Sequence, residues 1–183
     1  LLHSRGVPMD TSFDGINLTR PAVVADIHRA YIEAGADVIE TNSFGANRFK
    51  LAEYGLQAQV KEVNQAAVNI ARRVIGSAFR EVWLAGSVGP LGVRLAPLGR
   101  VSLAAAADAF REQIEALLTA TPGGVDLLIF ETMSDLYEME TAVAVARELA
   151  PDLPIVSQMT FTRDDRTLLG HTPNVVAQRL AAL

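Results

Sequence analysis

The fold of this chain follows from one stretch, residues 37–44, which read Asp37-Val38-Ile39-Glu40-Thr41-Asn42-Ser43-Phe44. The stretch begins with apolar residues, as a buried strand does, and becomes polar within three residues. The same change occurs at Leu127-Leu128-Ile129-Phe130-Glu131-Thr132. Apolar strands with polar ends are typical of parallel sheets that carry a site at the carboxyl ends of their strands. We therefore predict that both strands contribute polar residues to one pocket.

Helical and strand-like patterns alternate along the rest of the chain. Two further apolar runs, at 82–87 and 155–161, predict strands, and apolar residues at helical spacing predict helices before, between and after the strands. Residues 1–18 contain many turn-forming residues and predict a loop-like lead. Capping residues and helix breakers place the predicted helices at about 19–34, 47–54, 57–75, 102–121, 136–149 and from 172 onwards.

This order of elements predicts an α/β fold with a parallel sheet, because strands that alternate with helices are joined by right-handed crossovers. The repeating units are similar in size and their strands end in polar residues, which favours a (β/α)8 barrel over a doubly wound sheet. A complete barrel needs ~250 residues. The prediction is therefore a partial (β/α)8 TIM barrel with about four parallel strands. No Gly-x-Gly-x-x-Gly follows a strand, which counts against a dinucleotide-binding fold.

Residues 1–183 are predicted to form a single, incomplete barrel domain. The first residue is Leu rather than Met, and the last segment has no helix stop signal. We therefore expect the chain to be a piece of a longer protein, cut at both ends. Half a barrel would not contain every residue of a barrel active site.

Composition argues against several classes of protein. The formal net charge is −5 and Arg72-Arg73 is the only adjacent basic pair, so we expect no nucleic-acid partner. No apolar run approaches the ~20 residues that a membrane span needs, so we expect no membrane partner. The chain has no cysteine, so these residues contain neither a disulfide nor a thiolate metal site. This composition fits a cytoplasmic protein.

Glu131 is the strongest candidate for a functional residue. It ends an apolar strand, where a carboxylate is costly to bury unless it is paired, so it should face a polar mouth or a cationic group of a ligand. Glu40 occupies the same position on its own strand. The alternative for either glutamate is a structural salt bridge to an arginine in a neighbouring loop.

The residues after these strands offer weaker candidates. Asn42 and Ser43 can hydrogen bond to a ligand, although such residues are also common at strand ends because they favour turns. Phe44 is predicted to lie in the core. Glycine allows close approach of the backbone, so Gly86-Ser87-Val88-Gly89-Pro90 could present N–H groups to a ligand or form an ordinary turn.

The sequence gives little support for a metal site within these residues. The three histidines, His3, His28 and His171, fall in the lead, in a helix and in a loop. They lack the spacing that zinc ligands show, and no cysteine accompanies them. We therefore assign no metal ligand in this chain.

Three motifs together resemble the homocysteine S-methyltransferase family. Residues 34–47, Ala34-Gly35-Ala36-Asp37-Val38-Ile39-Glu40-Thr41-Asn42-Ser43-Phe44-Gly45-Ala46-Asn47, are similar to the second strand of that family's barrel. Gly86-Ser87-Val88-Gly89-Pro90-Leu91-Gly92 resembles the loop after its third strand, and Asp126-Leu127-Leu128-Ile129-Phe130-Glu131-Thr132-Met133 its fourth strand. The resemblance covers essentially all 183 residues, in the right order, and makes the four strands the second to fifth of the barrel.

The resemblance implies a (β/α)8 barrel that transfers a methyl group to the thiol of homocysteine, giving methionine. In that family a zinc ion held by three cysteines binds the substrate sulfur and favours the thiolate. Glu131 matches the family carboxylate that holds the α-amino group of homocysteine, and Thr41, Asn42 and Ser43 match the loop at the amino-acid end of the pocket. The resemblance is closest to bacterial forms in which this domain is fused to a methylenetetrahydrofolate reductase domain.

The zinc cysteines of the family, in Gly-x-Asn-Cys and Gly-Gly-Cys-Cys runs, have no counterpart in this sequence. The resemblance places them on strands after Leu183, so we expect the chain alone to be inactive. The alternative function is a zinc-less, non-catalytic module that binds an amino acid or a partner. An unrelated barrel enzyme such as an aldolase would need a lysine on a strand, whereas Lys50 and Lys61 lie in predicted helices. No residue identifies the methyl donor.

Overall fold

Four apolar segments form one parallel sheet in the computed structural model, which describes residues Leu1–Leu183. The strands are hydrogen-bonded in the order of the sequence, and all neighbours are parallel. This arrangement confirms the predicted α/β class with about four parallel strands, as found in part of a (β/α)8 barrel. The strands are β1 (Val38–Glu40), β2 (Trp83–Val88), β3 (Leu127–Met133) and β4 (Ile155–Met159).

Helices precede, connect and follow the strands. None of them is both long enough and apolar enough to cross a membrane. Two short 3-10 helices, His3–Arg5 and Gln57–Gln59, accompany the α-helices. The α-helices are α1 (Ile16–Thr19), α2 (Pro21–Glu33), α3 (Arg48–Ala52), α4 (Val60–Ile75), α5 (Leu103–Leu118), α6 (Leu136–Leu149) and α7 (Pro173–Leu180).

Capping explains where some helices begin, and the sequence predicts two of these starts correctly. Ser102 accepts a hydrogen bond from the Ala105 N–H at 3.1 Å and begins α5, and Thr172 caps α7. The prediction that Thr19 caps α2 is wrong, because Thr19 is the last residue of α1. The prediction that residues 1–18 form a loop-like lead is also only partly correct. Helix α1 forms there because Ile16 is fully buried, which favours this conformation through tertiary packing.

Strand β1 is shorter than the predicted 37–44. The Thr41 N–H still donates to the Ala85 carbonyl of β2 at 2.9 Å, but the Ser43 N–H turns back to the Thr41 carbonyl. The chain therefore leaves the sheet immediately after Glu40. The polar residues of the motif consequently lie in a tight turn above the sheet, at its carboxyl edge.

The core lies between one face of the sheet and the helices. Leu84, Leu128 and Phe130 on the strands, and Phe110 and Ile114 on α5, are fully buried in one cluster. Burial of each such side chain stabilises the fold by about 1.5–3 kcal/mol. The helix-facing side of the sheet therefore provides most of the cohesion of the chain.

The other face of the sheet is not covered by helices. Val38, Trp83 and Val156 are large apolar residues of the strands that are exposed. Because alternate residues of a strand point to the same face, Glu40, Ser87 and Glu131 belong to this open face too. In a closed barrel this face is the interior.

An ion pair fastens the amino-terminal end of the sheet to a helix. The Arg72 guanidinium of α4 contacts both carboxylate oxygens of Asp126, at 2.7 and 2.9 Å, and one of these oxygens also accepts the Leu84 N–H at 2.7 Å. Partial burial alone would raise the pKa of Asp126. The hydrogen bonds from Arg72 and Leu84 outweigh that effect and hold the pKa below its ordinary value.

Candidate functional site

Glu131 lies at the carboxyl end of β3 and is half-buried. Its Oε1 accepts a hydrogen bond from the Ser87 hydroxyl of β2 at 2.5 Å. A structural salt bridge to a loop arginine is absent from its contacts, and Lys50 is the cation that acts on it at longer range. The carboxylate therefore keeps hydrogen-bonding capacity for a group outside the protein.

The backbone beside Glu131 is irregular. Thr132 has φ of 60°, in the left-handed region that β-branched residues rarely adopt. The pairing of β3 with β4 shifts register between Phe130 and Met133. Bulges of this kind re-aim side chains next to functional sites, at a cost of roughly 1–3 kcal/mol for the strained residue. The irregularity at this position therefore points to a functional constraint on Glu131.

Two hydroxyl groups and the backbone of Ser87 form a closed set of hydrogen bonds beside Glu131. Ser43 donates to the Ser87 carbonyl at 2.8 Å, and the Ser87 N–H donates to Thr41 Oγ1 at 3.0 Å. The single proton of Ser43 is used in this way, so Thr41 donates to Ser43 Oγ across 2.6 Å. The hydroxyl proton of Thr41 and that of Ser43 are therefore each donated to an oxygen within the protein, and both residues are buried. These two residues hold Ser87, which in turn orients Glu131.

Asn42 is tied to the lead segment. Its side-chain amide donates to the Phe13 carbonyl at 2.6 Å and to Asn17 Oδ1 at 3.0 Å, and its own carbonyl accepts from the Asn17 amide at 2.7 Å. Thr41, Asn42 and Ser43 therefore all hydrogen bond to groups within the protein, at the carboxyl edge of the sheet. Direct contact of these three residues with a substrate stays a prediction.

Glu40 stands at the end of β1, two strands away from Glu131. The carboxyl group of Glu131 is near enough to act electrostatically on that of Glu40. Partial burial of the Glu40 carboxyl group and the neighbouring Glu131 raise the pKa of Glu40. Both strand-end glutamates therefore lie at the carboxyl edge of the sheet, and their contribution to one pocket stays a prediction.

The glycine-rich segment after β2 does not offer free N–H groups. The N–H groups of Ser87, Gly89 and Leu91 donate to Thr41 Oγ1, the Phe44 carbonyl and Glu138 Oε1. Gly89 is required for a different reason. A Cβ there would lie 2.7 Å from the Phe44 carbonyl oxygen. The glycine therefore permits close packing of two loops.

Glu138 is a buried carboxyl group that reasoning from the sequence missed. It lies in the first turn of α6, three residues after the N-cap Asp135, a spacing typical of a capping box. Instead of capping its own helix, it accepts the Leu91 N–H at 2.7 Å. Burial raises its pKa to about 7, against the opposing effect of that hydrogen bond. Glu138 thus anchors the loop after β2 to α6.

Lys50 links this anchor to the site. It is half-buried, lies 4.3 Å above the Phe44 ring, and acts electrostatically on Asp14, Glu138 and Glu131. Asp14 accepts the Gly45 N–H at 2.9 Å, and burial raises its pKa. The prediction that Phe44 lies in the core is wrong, because Phe44 is 36% exposed. The Lys50 ammonium stabilises the partly exposed Phe44 ring through a cation–π contact.

An apolar cavity of about 640 Å³ opens beside β1. His28 of α2 contributes to its wall and is buried, its Nε2 has no hydrogen-bond partner, and burial lowers its pKa to about 4. Polar residues on the opposite wall come from the motif at residues 40–42. The cavity therefore meets the carboxylate site at Glu40.

No metal-ligand cluster is present among these residues. No three His, Asp or Glu side chains converge in a way that could hold a metal ion, and the chain has no cysteine. The residues of this chain therefore do not fit the three-cysteine zinc site of the family that the motifs resemble.

Sequence comparison and structure comparison both relate this chain to homocysteine-methylating proteins. The family profile described as homocysteine S-methyltransferase matches residues 7–183. The methionine synthase of Mycobacterium tuberculosis is 37% identical over 162 residues, and that of Mycobacterium leprae is 34% identical over 162 residues. Each match covers 85% of this chain but 13% of the synthase, so the chain spans a small part of these relatives.

Solved structures show the same relationship. The metallated form of the homocysteine methyltransferase MmuM from Escherichia coli superposes with a TM-score of 0.78 at 30% identity, covering 99% of this chain and 67% of that one. The oxidised form superposes with a TM-score of 0.83 at 27% identity, covering 98% and 65%. The topology of the chain therefore agrees with that of a homocysteine methyltransferase whose structure has been solved in a metallated form.

Proposed function

The chain belongs to the homocysteine S-methyltransferase family, and from this premise we propose that it forms the amino-acid-binding part of an enzyme that methylates the thiol of homocysteine to give methionine. A methyl donor is the second substrate in this proposal. The observation that carries the proposal is the carboxylate of Glu131, which is held by Ser87 at 2.5 Å beside a strained Thr132. A carboxylate fixed in this way suits an ammonium group.

The residues of this chain bind and orient the amino acid in this proposal. Glu131 would accept hydrogen bonds from the α-ammonium of homocysteine, and the ring of Thr41, Ser43 and Ser87 would fix the direction of the carboxylate. Pre-organised acceptors of this kind reduce the entropy that is lost when the substrate is positioned. The thiol would then extend away from Glu131, along the open face of the sheet.

Zinc activates the thiol in the family, and in this proposal it is held by residues other than those of this chain. The residues of this chain do not fit it, as the absence of a ligand cluster shows. We therefore assign no step of thiol activation to residues 1–183 and place the cysteine ligands outside them. Fusion to a methylenetetrahydrofolate reductase domain is a further proposal, which rests on the sequence resemblance alone.

Calorimetric titration of homocysteine into the full chain tests the proposed binding. Glu131→Gln keeps the shape of the side chain but removes its charge, and a charge-assisted hydrogen bond contributes roughly 1.5–3 kcal/mol, so binding should weaken about ten- to a hundredfold. Glu81→Gln is the matched control, because Glu81 is exposed and precedes β2 at the other end of the sheet.

A ligand control separates the ammonium from the rest of homocysteine. 4-Mercaptobutanoate lacks the amino group, so its weaker binding should be the same in the native chain and in Glu131→Gln. Equal affinity of both proteins for homocysteine would remove Glu131 from the site. Binding without methionine formation, in a protein that also supplies the cysteines, would favour the alternative of a non-catalytic amino-acid-binding module.

A further inference from the structure

Gln113 of α5 is a fully buried amide on a helix whose other buried residues are all apolar, Phe110, Ile114 and Leu117 among them. Its Nε2 donates a hydrogen bond to the Ser43 carbonyl at 2.7 Å, whereas its Oε1 has no partner. A buried amide that is only half paired costs free energy, and an apolar side chain at the same position would avoid that cost. The amide is therefore explained by its hydrogen bond to Ser43 rather than by packing in the core.

A line of hydrogen bonds runs from Gln113 to Glu131. Ser43, whose carbonyl Gln113 holds, donates its hydroxyl proton to the Ser87 carbonyl at 2.8 Å. The Ser87 hydroxyl in turn donates to Glu131 Oε1 at 2.5 Å. All three supporting residues, Gln113, Ser43 and Ser87, are buried, so water does not readily replace a partner that is lost. A shift of the turn that contains Ser43 would therefore change the direction in which Glu131 accepts hydrogen bonds.

We propose that Gln113 is a positioning residue for the ammonium site, which acts on Glu131 through Ser43 and Ser87. This inference rests on the proposed function, because it assigns a further residue to the same site. Hydrogen bonds weaken steeply when donor and acceptor are misaligned, so a binding group needs supporting residues that fix its direction. Loss of the Gln113 amide should weaken recognition of the ammonium and leave the binding of the rest of the substrate unchanged.

Asn64 of α4 provides a matched control within the same turn, residues 43–46. It is fully buried like Gln113, its Nδ2 donates to the Ala46 carbonyl at 2.8 Å, and its Oδ1 has no partner. The side chain of Ala46 has no polar group that could hydrogen bond to Ser87. Asn64 therefore holds the turn in the same way as Gln113, but it has no line of hydrogen bonds to the carboxylate site.

Calorimetric titration of homocysteine and of 4-mercaptobutanoate into the full chain measures the preference for the ammonium as a ratio of two dissociation constants. Gln113→Met removes the donor, and the Ser43 carbonyl still accepts the Ala46 N–H at 3.0 Å. The ratio should fall about two- to tenfold, which corresponds to one hydrogen bond. Asn64→Leu should keep the native ratio, and urea denaturation records any general loss of stability in either variant. An unchanged ratio in Gln113→Met, or an equal fall in both variants, would overturn the proposal.

Two further variants test the path through the serines. Ser87→Ala removes the last hydroxyl before Glu131, so adding Gln113→Met to it should not lower the ratio further. Ser43→Ala keeps the carbonyl that Gln113 holds but removes the hydroxyl that continues the line, so it should lower the ratio by itself. An unchanged ratio in Ser43→Ala would overturn the proposal even if Gln113→Met did not fold.

The possible failures are distinct. A native chain that does not bind homocysteine, or binds it no better than 4-mercaptobutanoate, would refute the proposed function and, with it, the role of Gln113. A native chain that prefers homocysteine, and whose Gln113→Met variant keeps that preference, would refute the role of Gln113 and leave that of Glu131 standing.

Discussion

Replacing Glu138 by glutamine should remove a pH-dependent loss of stability from this chain. Glu138 is 4% exposed and accepts the Leu91 N–H at 2.7 Å. Burial raises its pKa from 4.5 to about 7, which means that the folded chain keeps this carboxyl group protonated where an unfolded chain has lost the proton. Glutamine has a similar shape, retains an acceptor oxygen for Leu91, and does not ionise.

The sign and size of the effect follow from proton linkage. Between pH 4.5 and about 7 the folded chain binds more protons at this position than the unfolded chain, so the free energy of unfolding falls as pH rises. Each pKa unit corresponds to about 1.36 kcal/mol, so the stability that neutral Glu138 contributes below pH 4.5 declines by about 3 kcal/mol above pH 7. Glu138→Gln lacks this decline.

Urea denaturation of both proteins across this pH range measures the effect. The stability of Glu138→Gln relative to the native chain should rise by about 3 kcal/mol between acidic and neutral pH. Comparing the two proteins cancels the titration of other groups. Glu33→Gln, at the exposed end of α2, is the matched control and should show a constant difference. A difference for Glu138→Gln that stays constant within about 0.5 kcal/mol would refute the reasoning.

Lys50 provides a second check on the same carboxyl group. Its charge lowers the pKa of Glu138, so Lys50→Met should raise that pKa further. In the Lys50→Met background the pH range of the decline should therefore move upward. An unchanged range would mean that Lys50 does not act on Glu138 across their separation in the fold.

Three further predictions concern the rest of the chain. His28→Leu should stabilise the chain relative to the native protein by an amount that grows to about 3 kcal/mol as pH falls from 6.5 to about 4. The reason is that buried His28 stays neutral over this range, whereas a histidine in the unfolded chain binds a proton. Urea denaturation at several pH values measures the difference in stability between the two proteins, and a difference that does not change with pH would contradict this prediction. Asp126→Asn should lower the free energy of unfolding by about 1–3 kcal/mol at neutral pH. The loss should be smaller in acid, where Asp126 of the native chain is itself protonated and uncharged. An equal loss at both pH values, measured by urea denaturation, would contradict the ion pair with Arg72 as its cause. After dialysis against zinc, metal analysis of the native chain should give far less than one zinc per chain, because zinc sites need three or four converging ligands; stoichiometric zinc would mean that the ligands have been misjudged.

The order and type of the main elements could be predicted from the sequence. Apolar runs alternate with helical spacing, and this local pattern reflects burial on both faces of a parallel sheet. The positions of Glu40 and Glu131 at strand ends were predicted for the same reason, since the carboxyl ends of parallel strands lie at one edge. The boundaries were less accurate, and residues 16–19 were predicted as loop although they form α1.

The contacts that make a site out of these positions were decided only by the tertiary structure. The hydrogen bond from Ser87 to Glu131 spans 44 residues, and the one from Leu91 to Glu138 spans 47. Such pairs depend on the register of neighbouring strands and on the direction of each side chain, and no local pattern encodes either. Glu138 illustrates the difference. Its spacing from Asp135 indicates a helix cap, whereas burial against the loop after β2 makes it an anchor with a raised pKa, because desolvation depends on everything that surrounds a group in the folded chain.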